Sequence, residues 1–266
     1  MNLMKVKDVF LDVLFPPICL NCQKHIEERN KLICDRCLAG IEINNSLFCP
    51  VCRARLWQDK KICNHGQSDG RQYPFVLAAA ANYGNETTQN LITYFKYKGF
   101  ESLAPILSSF VFKYINFINL DLEDYIIVPI PLHKNRERKR GFNQAKLLAD
   151  NLSERLEIDS IDALRRIKNT KPQACLSGRQ AKLKNQKDDN IFNWLESDNS
   201  RLKTQHEKRQ ENIRGAFKII DGSLIEGKKI ILVDDVYTSG ATMGEAARVL
   251  KENGAKKIIA LVVAKA

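Results

Sequence analysis

The sequence predicts an α/β domain built on a mostly parallel sheet, preceded by a small cysteine-rich module. Two observations carry this. From about residue 75 onward, short apolar runs alternate with amphipathic helical patterns, as strands and helices do when helices cover a parallel sheet. Before residue 64, by contrast, the chain holds seven of its eight cysteines. A length of 266 residues with 44% hydrophobic content suits a domain of ordinary size plus a small module. The formal net charge of +11 points to an anionic partner, either a phosphorylated metabolite or nucleic acid.

The chain opens on Val6, Val9, Phe10, Val13 and Leu14 at helical spacing. A short helix docked on the body is expected there, with a membrane-surface helix as the alternative. No apolar stretch approaches the roughly 18 to 20 residues of a membrane-spanning helix, and Asp12 interrupts the apolar run nearest the N-terminus. Neither a signal peptide nor an anchor is read, and a cytoplasmic location is expected.

Six of the early cysteines form three Cys-x-x-Cys pairs, Cys19 with Cys22, Cys34 with Cys37 and Cys49 with Cys52, and eleven residues separate each pair from the next. A tight turn brings two thiolates of such a pair to one tetrahedral ion, and a second turn supplies the other two. Cys19, Cys22, Cys34 and Cys37 therefore make a complete four-thiolate zinc site at ribbon spacing. Cys49, Cys52, Cys63 and His65 form a second set, which is either a three-thiolate, one-histidine site or empty. A disulfide framework would need an oxidising compartment, and a redox Cys-x-x-Cys would need a thioredoxin-like strand and helix around it. A closed thiolate site is structural, because no coordination position stays open for water. Cys175 stands alone in a polar stretch and is read as an ordinary residue.

The turn-rich stretch 67–74 marks the boundary, giving a module over 1–72 and the α/β domain over 73–266. Phe75 to Tyr83 reads as a strand, Glu86 to Tyr97 and Glu101 to Phe117 as helices, and Tyr125 to Ile130 as a β-branched strand closed by prolines. Gly141 to Leu156 is helical in pattern, Leu164 to Ile167 and Phe217 to Ile220 are short strands, Lys229 to Val233 is strongly apolar, and Ile258 to Val263 is the last strand. Ala241 to Asn253 is the helix between the final two, ended by Gly254. The 50 residues from Arg165 to Arg214 carry 13 Lys or Arg against 6 Asp or Glu. Within them, 177–206 reads as a basic polar insertion with one apolar cluster around Trp194.

The sharpest signal is the run from Ile230 to Thr242. An apolar strand delivers Asp234 and Asp235 to its carboxyl end, and a turn of Thr238, Ser239, Gly240, Ala241 and Thr242 then opens a helix. Backbone amides of such a turn, the positive helix end and the hydroxyls together cradle a phosphate. The carboxylates would repel that phosphate, so their use is to accept hydrogen bonds from the vicinal hydroxyls of a ribose, directly or through metal-bound water. Phosphate cradle and diol acceptor together describe a ribose 5-phosphate.

This run resembles the phosphoribosyl pyrophosphate (PRPP) signature of the type I phosphoribosyltransferases. The resemblance to one group within that fold, the ComF/GntX family, covers nearly the whole chain: the cysteine pairs, Lys96-Tyr97-Lys98-Gly99, Val128 to His133, Arg140 to Ala145, Thr170, Gln173 and Asn212 to Phe217. The departures are Cys63-Asn64-His65 where the family carries a further Cys-x-x-Cys, and extra polar residues between Leu176 and Glu207. The resemblance implies a type I phosphoribosyltransferase-like domain behind a double zinc ribbon, with PRPP and Mg²⁺ as ligands. It places the pyrophosphate on the basic cluster Lys134, Arg136, Arg138, Lys139 and Arg140, which charge alone would equally assign to a solvated loop or to nucleic-acid phosphates. It also associates the protein with DNA uptake, where basic segments and Phe192, Trp194 and Tyr237 would handle single-stranded DNA.

Two function classes follow, a PRPP-responsive binding module in DNA uptake and an active phosphoribosyltransferase with an unidentified acceptor. No residue is assigned as general base, since Thr238 stands where purine-salvage relatives carry an acid. Oligomeric state is not legible. Protein purified without chelator is expected to hold at least one zinc per chain by elemental analysis; a value near zero, with four thiols reacting at once, would contradict the ribbon.

Overall fold

The computed structural model describes residues 17–28, 31–56, 73–170 and 210–266. The expected N-terminal helix, Cys63, His65, Cys175, most of the 67–74 boundary and the 177–206 insertion with Phe192 and Trp194 lie outside the described residues. The described elements run α1 (Asp35–Ala39), β1 (Leu47–Phe48), β2 (Arg55–Leu56), β3 (Val76–Asn82), α2 (Glu86–Tyr97), a 3₁₀ turn (Glu101–Leu103) and α3 (Ala104–Phe117). They continue with β4 (Tyr125–Pro129), α4 (Lys134–Arg140), α5 (Gln144–Leu156), β5 (Leu164–Arg166), β6 (Phe217–Ile219), a 3₁₀ turn (Gly222–Leu224), β7 (Lys229–Tyr237), α6 (Ala241–Glu252) and β8 (Lys257–Lys265).

The main sheet has the order β2-β1-β3-β8-β7-β4. Its four central and edge strands β3, β8, β7 and β4 are mutually parallel, and β1 joins β3 antiparallel through Phe48 and Leu77. Both faces of β7 and β8 are buried, which is why these strands read as continuous apolar runs. Ile231, Val233, Ile259 and Leu261 face α2, α3 and α5 through Ile92, Phe95, Leu107 and Leu148. Ile230, Leu232, Ala260 and Val262 face α6 through Met243, Ala246 and Leu250. The run Ala78 to Ala81 in β3 leaves room for helices to approach the sheet closely.

Four expectations are adjusted. The strand expected over Lys229 to Val233 extends to Tyr237, because β8 continues to pair with it after β4 has ended opposite Val233. The acidic pair thus lies within β7 and beyond the edge of β4. The basic loop is a short helix: His133 Nδ1 caps it by accepting from the Asn135 amide at 3.3 Å, and Gly141, at φ +90°, ends it. The following helix starts three residues later than expected, at Gln144, with the Asn143 side chain as its cap. Finally, β5 and β6 pair only with each other, as an antiparallel two-stranded sheet outside the main one.

The cysteine-rich segment packs into this body. Cys19, Ile26, Ile33, Cys37 and Ile41 share one core with Leu91 and Ile92 of α2. Asn21 donates to Thr87 Oγ1 at 3.0 Å and accepts from Asn90 at 2.8 Å. Tyr114, fully buried in α3, donates its hydroxyl to the Ser46 carbonyl at 2.7 Å. Tyr114→Phe leaves that carbonyl without its partner and is expected to cost about 1 to 2 kcal/mol. Urea unfolding should show a lower midpoint at unchanged slope; an unchanged midpoint would show that this bond ties nothing.

Candidate functional site

Four of the early cysteines converge. The Sγ atoms of Cys19, Cys22, Cys34 and Cys37 all lie within 4.8 Å of one another. Cys34 N donates to Cys19 Sγ at 3.4 Å, and Asn21 Nδ2 donates to Cys37 Sγ at 3.3 Å. Burial raises the Cys19 thiol pKa, but amide donation from Cys34, Cys22 and Asn21 outweighs it and brings the group down to about 6. Cys37 is pushed up to about 12, by burial and by the three crowding thiols against the Asn21 donor. Four thiolates cannot share this space unaided, whereas a dication offsets half of their charge, and amide donors aimed at sulfur, as in closed structural zinc sites, ease the remainder. Of the second set, Cys49 and Cys52 lie on the turn between β1 and β2, where Cys49 N bonds Ala54 O and Arg53 N bonds Cys49 O, both at 2.9 Å.

The second centre lies at the carboxyl ends of the parallel strands, the place at which open α/β sheets receive ligands in a crevice. Its floor is the acidic pair. Asp235 is buried and meets Lys96 Nζ, from the last turn of α2, at 2.9 Å. Asp234 accepts from the Asp235 amide at 2.9 Å. Burial and then the Asp235 charge push the Asp234 carboxyl up to about 7, against the pull of Lys96, the Asp235 amide and Arg166. Lys96 is held above the usual lysine range, since Asp235 outweighs the burial that would lower it.

Past Asp235 the strand ends at Tyr237 and the chain turns through 238–240 into α6. Gly240 caps the helix at φ +75°, in the left-handed region. A Cβ there would also stand 2.1 Å from the Tyr237 hydroxyl, so glycine is required twice over. Ala241 and Thr242 open α6, where a helix leaves its first amides without intrahelical partners, and the Ala241 amide donates to Ser239 Oγ at 3.5 Å.

The opposite wall is cationic. In α4, Arg136 and Arg140 stand one helical turn apart and partly buried, while Lys134, Arg138 and Lys139 are exposed. Arg136 donates to the Thr170 carbonyl, and Arg140 donates to Gln144 Oε1 at 3.0 Å with its guanidinium 5.1 Å from the Tyr97 ring centre. Facing them is Arg166 of β5, which is 7% exposed and donates to Thr170 Oγ1 at 2.7 Å. Burial, then the charge of Arg136, brings Arg166 down to about 10, with Arg140 acting in the same sense and Asp234 against it. Arg136 is lowered likewise, by burial and by Arg140. The Arg166 Nε is buried without a hydrogen-bond partner. Arg136, Arg140 and Arg166 together form a cluster short of negative charge.

Sequence reasoning brought forward Arg136 and Arg140 but gave no role to Lys96 or Arg166. Each carried a signal. Lys96 lies in the Lys96-Tyr97-Lys98-Gly99 run, and Arg166 takes the inward position of β5 two residues after buried Leu164, where period-two alternation puts apolar side chains. The ends flanking the basic insertion are fastened here as well. Lys168 donates to the Arg214 carbonyl at 2.7 Å, and the Gly215 amide donates to buried Glu245 of α6 at 2.6 Å.

Two segments of the chain match known families. A model described as "Phosphoribosyl transferase domain" matches residues 141–266, and one described as "Double zinc ribbon domain" matches residues 10–67. Competence protein ComFC of Bacillus subtilis is 31% identical over 172 residues, which is 64% of this chain and 56% of that protein. Competence protein F of Haemophilus influenzae is 28% identical over 134 residues, 50% of this chain and 46% of that protein. DNA utilization protein YhgH of Escherichia coli K12 is 30% identical over 133 residues, 50% of this chain and 45% of that protein. The chain spans about half the length of the curated relatives it matches. Among the described residues no helix is long and apolar enough to cross a membrane. The chain thus sets a segment similar to a double zinc ribbon ahead of a segment similar to a phosphoribosyltransferase domain, and it resembles competence and DNA utilization proteins over about half of their length.

Proposed function

We propose that the crevice binds PRPP or a related ribose 5-phosphate ligand, and that this binding serves the handling of single-stranded DNA during uptake. One observation supports the first part above all: an anion-accepting turn, a carboxylate pair and a guanidinium cluster lie around one strand-end crevice, in the order of a 5-phosphate, a ribose diol and a pyrophosphate. In this reading 238–242 receives the 5-phosphate, Asp234 and Asp235 accept from the ribose hydroxyls, and Arg136, Arg140 and Arg166 neutralise the pyrophosphate. Mg²⁺ accompanying the pyrophosphate would supply further positive charge. Lys96, paired with Asp235 at 2.9 Å, fixes the direction of that carboxylate. The names of the relatives and the basic charge of the chain support the second part. The same guanidinium cluster also favours a second reading, phosphoribosyl transfer, in which the bond from the anomeric carbon to pyrophosphate breaks as an acceptor nucleophile bonds that carbon; liberated pyrophosphate measured across an acceptor panel tests it.

Mg²⁺ with PRPP is expected to raise the melting temperature, because a ligand of the folded state alone stabilises it by mass action. Arg166→Met should abolish most of the shift caused by PRPP while sparing that caused by ribose 5-phosphate. No shift in the parent protein would reject the reading.

Asp234, sharing the ribose hydroxyls with Asp235, accepts from them best as a carboxylate, so affinity for ribose 5-phosphate should fall as pH drops through about 7, by at most about tenfold per unit for this group. Without ligand the sign is reversed. The folded state holds the Asp234 proton more tightly than the unfolded chain does, so its stabilising effect is full below the unfolded pKa and lost as pH rises through about 7. Asp234→Asn should therefore raise the melting temperature at pH 8 while weakening ribose 5-phosphate binding; a lower melting temperature there would contradict the assignment.

Labelled single-stranded oligonucleotides should bind without sequence preference and more weakly as salt rises. Neutralising Lys182, Lys184, Lys187, Arg201 and Lys203 together with the Lys134 to Arg140 cluster should remove most of the anisotropy change. Affinity that ignores salt or survives these changes would leave the charge as a solvated face.

A further inference from the structure

The turn between β1 and β2 touches the anion-accepting turn through two side chains that cross in opposite directions. Tyr237, the last residue of β7, is 2% exposed and donates its hydroxyl to the Pro50 carbonyl at 2.8 Å. Its ring also packs edge-on against Phe75, with centroids 6.3 Å apart, and fills the space beneath Gly240. From the other side, Arg53 donates through Nη2 to the Thr238 carbonyl and through Nη1 to the Ala266 carbonyl. Ala266 N in turn donates to the Tyr237 carbonyl at 2.9 Å, which closes the circuit. Arg53 reaches these partners because its own backbone takes φ +57°, with its amide bonded to Cys49 O.

A turn that receives an anion must present amides to it and keep carbonyl oxygens away, since an inward carbonyl dipole repels the ligand. Thr238 is the first residue of that turn, and its carbonyl is the group that the Arg53 guanidinium holds. The fork-shaped guanidinium suits two carbonyls at once, and an ammonium does not. Arg53 is itself exposed, so its contribution to the core is small.

We propose that Arg53 is a positioning residue for the anion-accepting turn, and that the Cys49–Cys52 turn through it sets the affinity of 238–242 for a terminal phosphate monoester. The inference rests on the reading of the crevice as a ribose 5-phosphate site. It adds that the cysteine-rich segment acts on this site directly and not only as a docked module.

The experiment is calorimetric titration of the full chain, parent and Arg53→Met and Arg53→Lys, with ribose 5-phosphate and separately with inorganic pyrophosphate and Mg²⁺. Loss of a charged hydrogen bond that orients the turn should weaken ribose 5-phosphate by about tenfold or more in Arg53→Met, with partial recovery in Arg53→Lys. Pyrophosphate, which meets Arg136, Arg140 and Arg166, should bind both variants as it binds the parent. Zinc content and the melting temperature of the unliganded protein should be unchanged. If the parent binds ribose 5-phosphate and Arg53→Met binds it equally, the positioning role is wrong while the site stands. Equal loss of both ligands would mean a general structural defect and would also overturn it. If the parent binds neither, the crevice reading falls and the inference with it.

Discussion

Carboxylates at the end of a strand buried on both faces raise the free energy of the fold unless positive charge faces them. Much of the arrangement around the crevice answers that constraint. The Asp235 carboxylate takes the ammonium of Lys96, delivered by the last turn of α2, and both are largely removed from water. Asp234 has no cation in contact among the described residues and is left with the Asp235 amide and the more distant field of Arg166. One carboxylate is therefore satisfied by the protein, and the other is kept in a state that a polyhydroxyl ligand would relieve. Strain of this kind, stored at a strand end, is what a binding site offers to its ligand.

The same accounting applies across the crevice. Arg136, Arg140 and Arg166 are brought together by a short helix and by a two-stranded sheet that stands apart from the main one. Each is supported by a neutral acceptor, Thr170 for two of them and Gln144 for the third, so they are oriented without being neutralised. Thr170 bonds Arg136 and Arg166, and Gly215 bonds Glu245, so the described residues before and after the basic insertion lie beside this cluster and α6. The cysteine-rich segment is similarly bound in, through Asn21 and the shared core at one end and through Arg53 at the other.

Much of this was legible in the residues. The strands of the parallel sheet were legible because burial on both faces makes them continuously apolar, and the first two cysteine pairs because tetrahedral thiolate sites constrain spacing. The run from Ile230 to Thr242 was legible because acceptors, a glycine turn and a helix start follow one another locally. The extension of β7 to Tyr237 was not, since Asp234 and Asp235 look like a strand terminus and only the pairing with β8 carries the ladder past them. The helix at Lys134 to Arg140 was hidden because seven strongly charged or polar residues present no apolar stripe. Lys96, Arg53 and Arg166 could not be assigned locally: each acts on residues far away in the chain, and that proximity exists only after the sheet has formed.

The central claim is that a single phosphoribosyl ligand spans the turn, the acidic pair and the guanidinium cluster. A crystal structure of the full chain with Mg²⁺ and PRPP tests this most directly. The account predicts the 5-phosphate on the amides of 238–242, the ribose hydroxyls on Asp234 and Asp235, and the pyrophosphate among Arg136, Arg140 and Arg166. Density for the ligand outside this crevice, or a pyrophosphate turned away from Arg166, would contradict it.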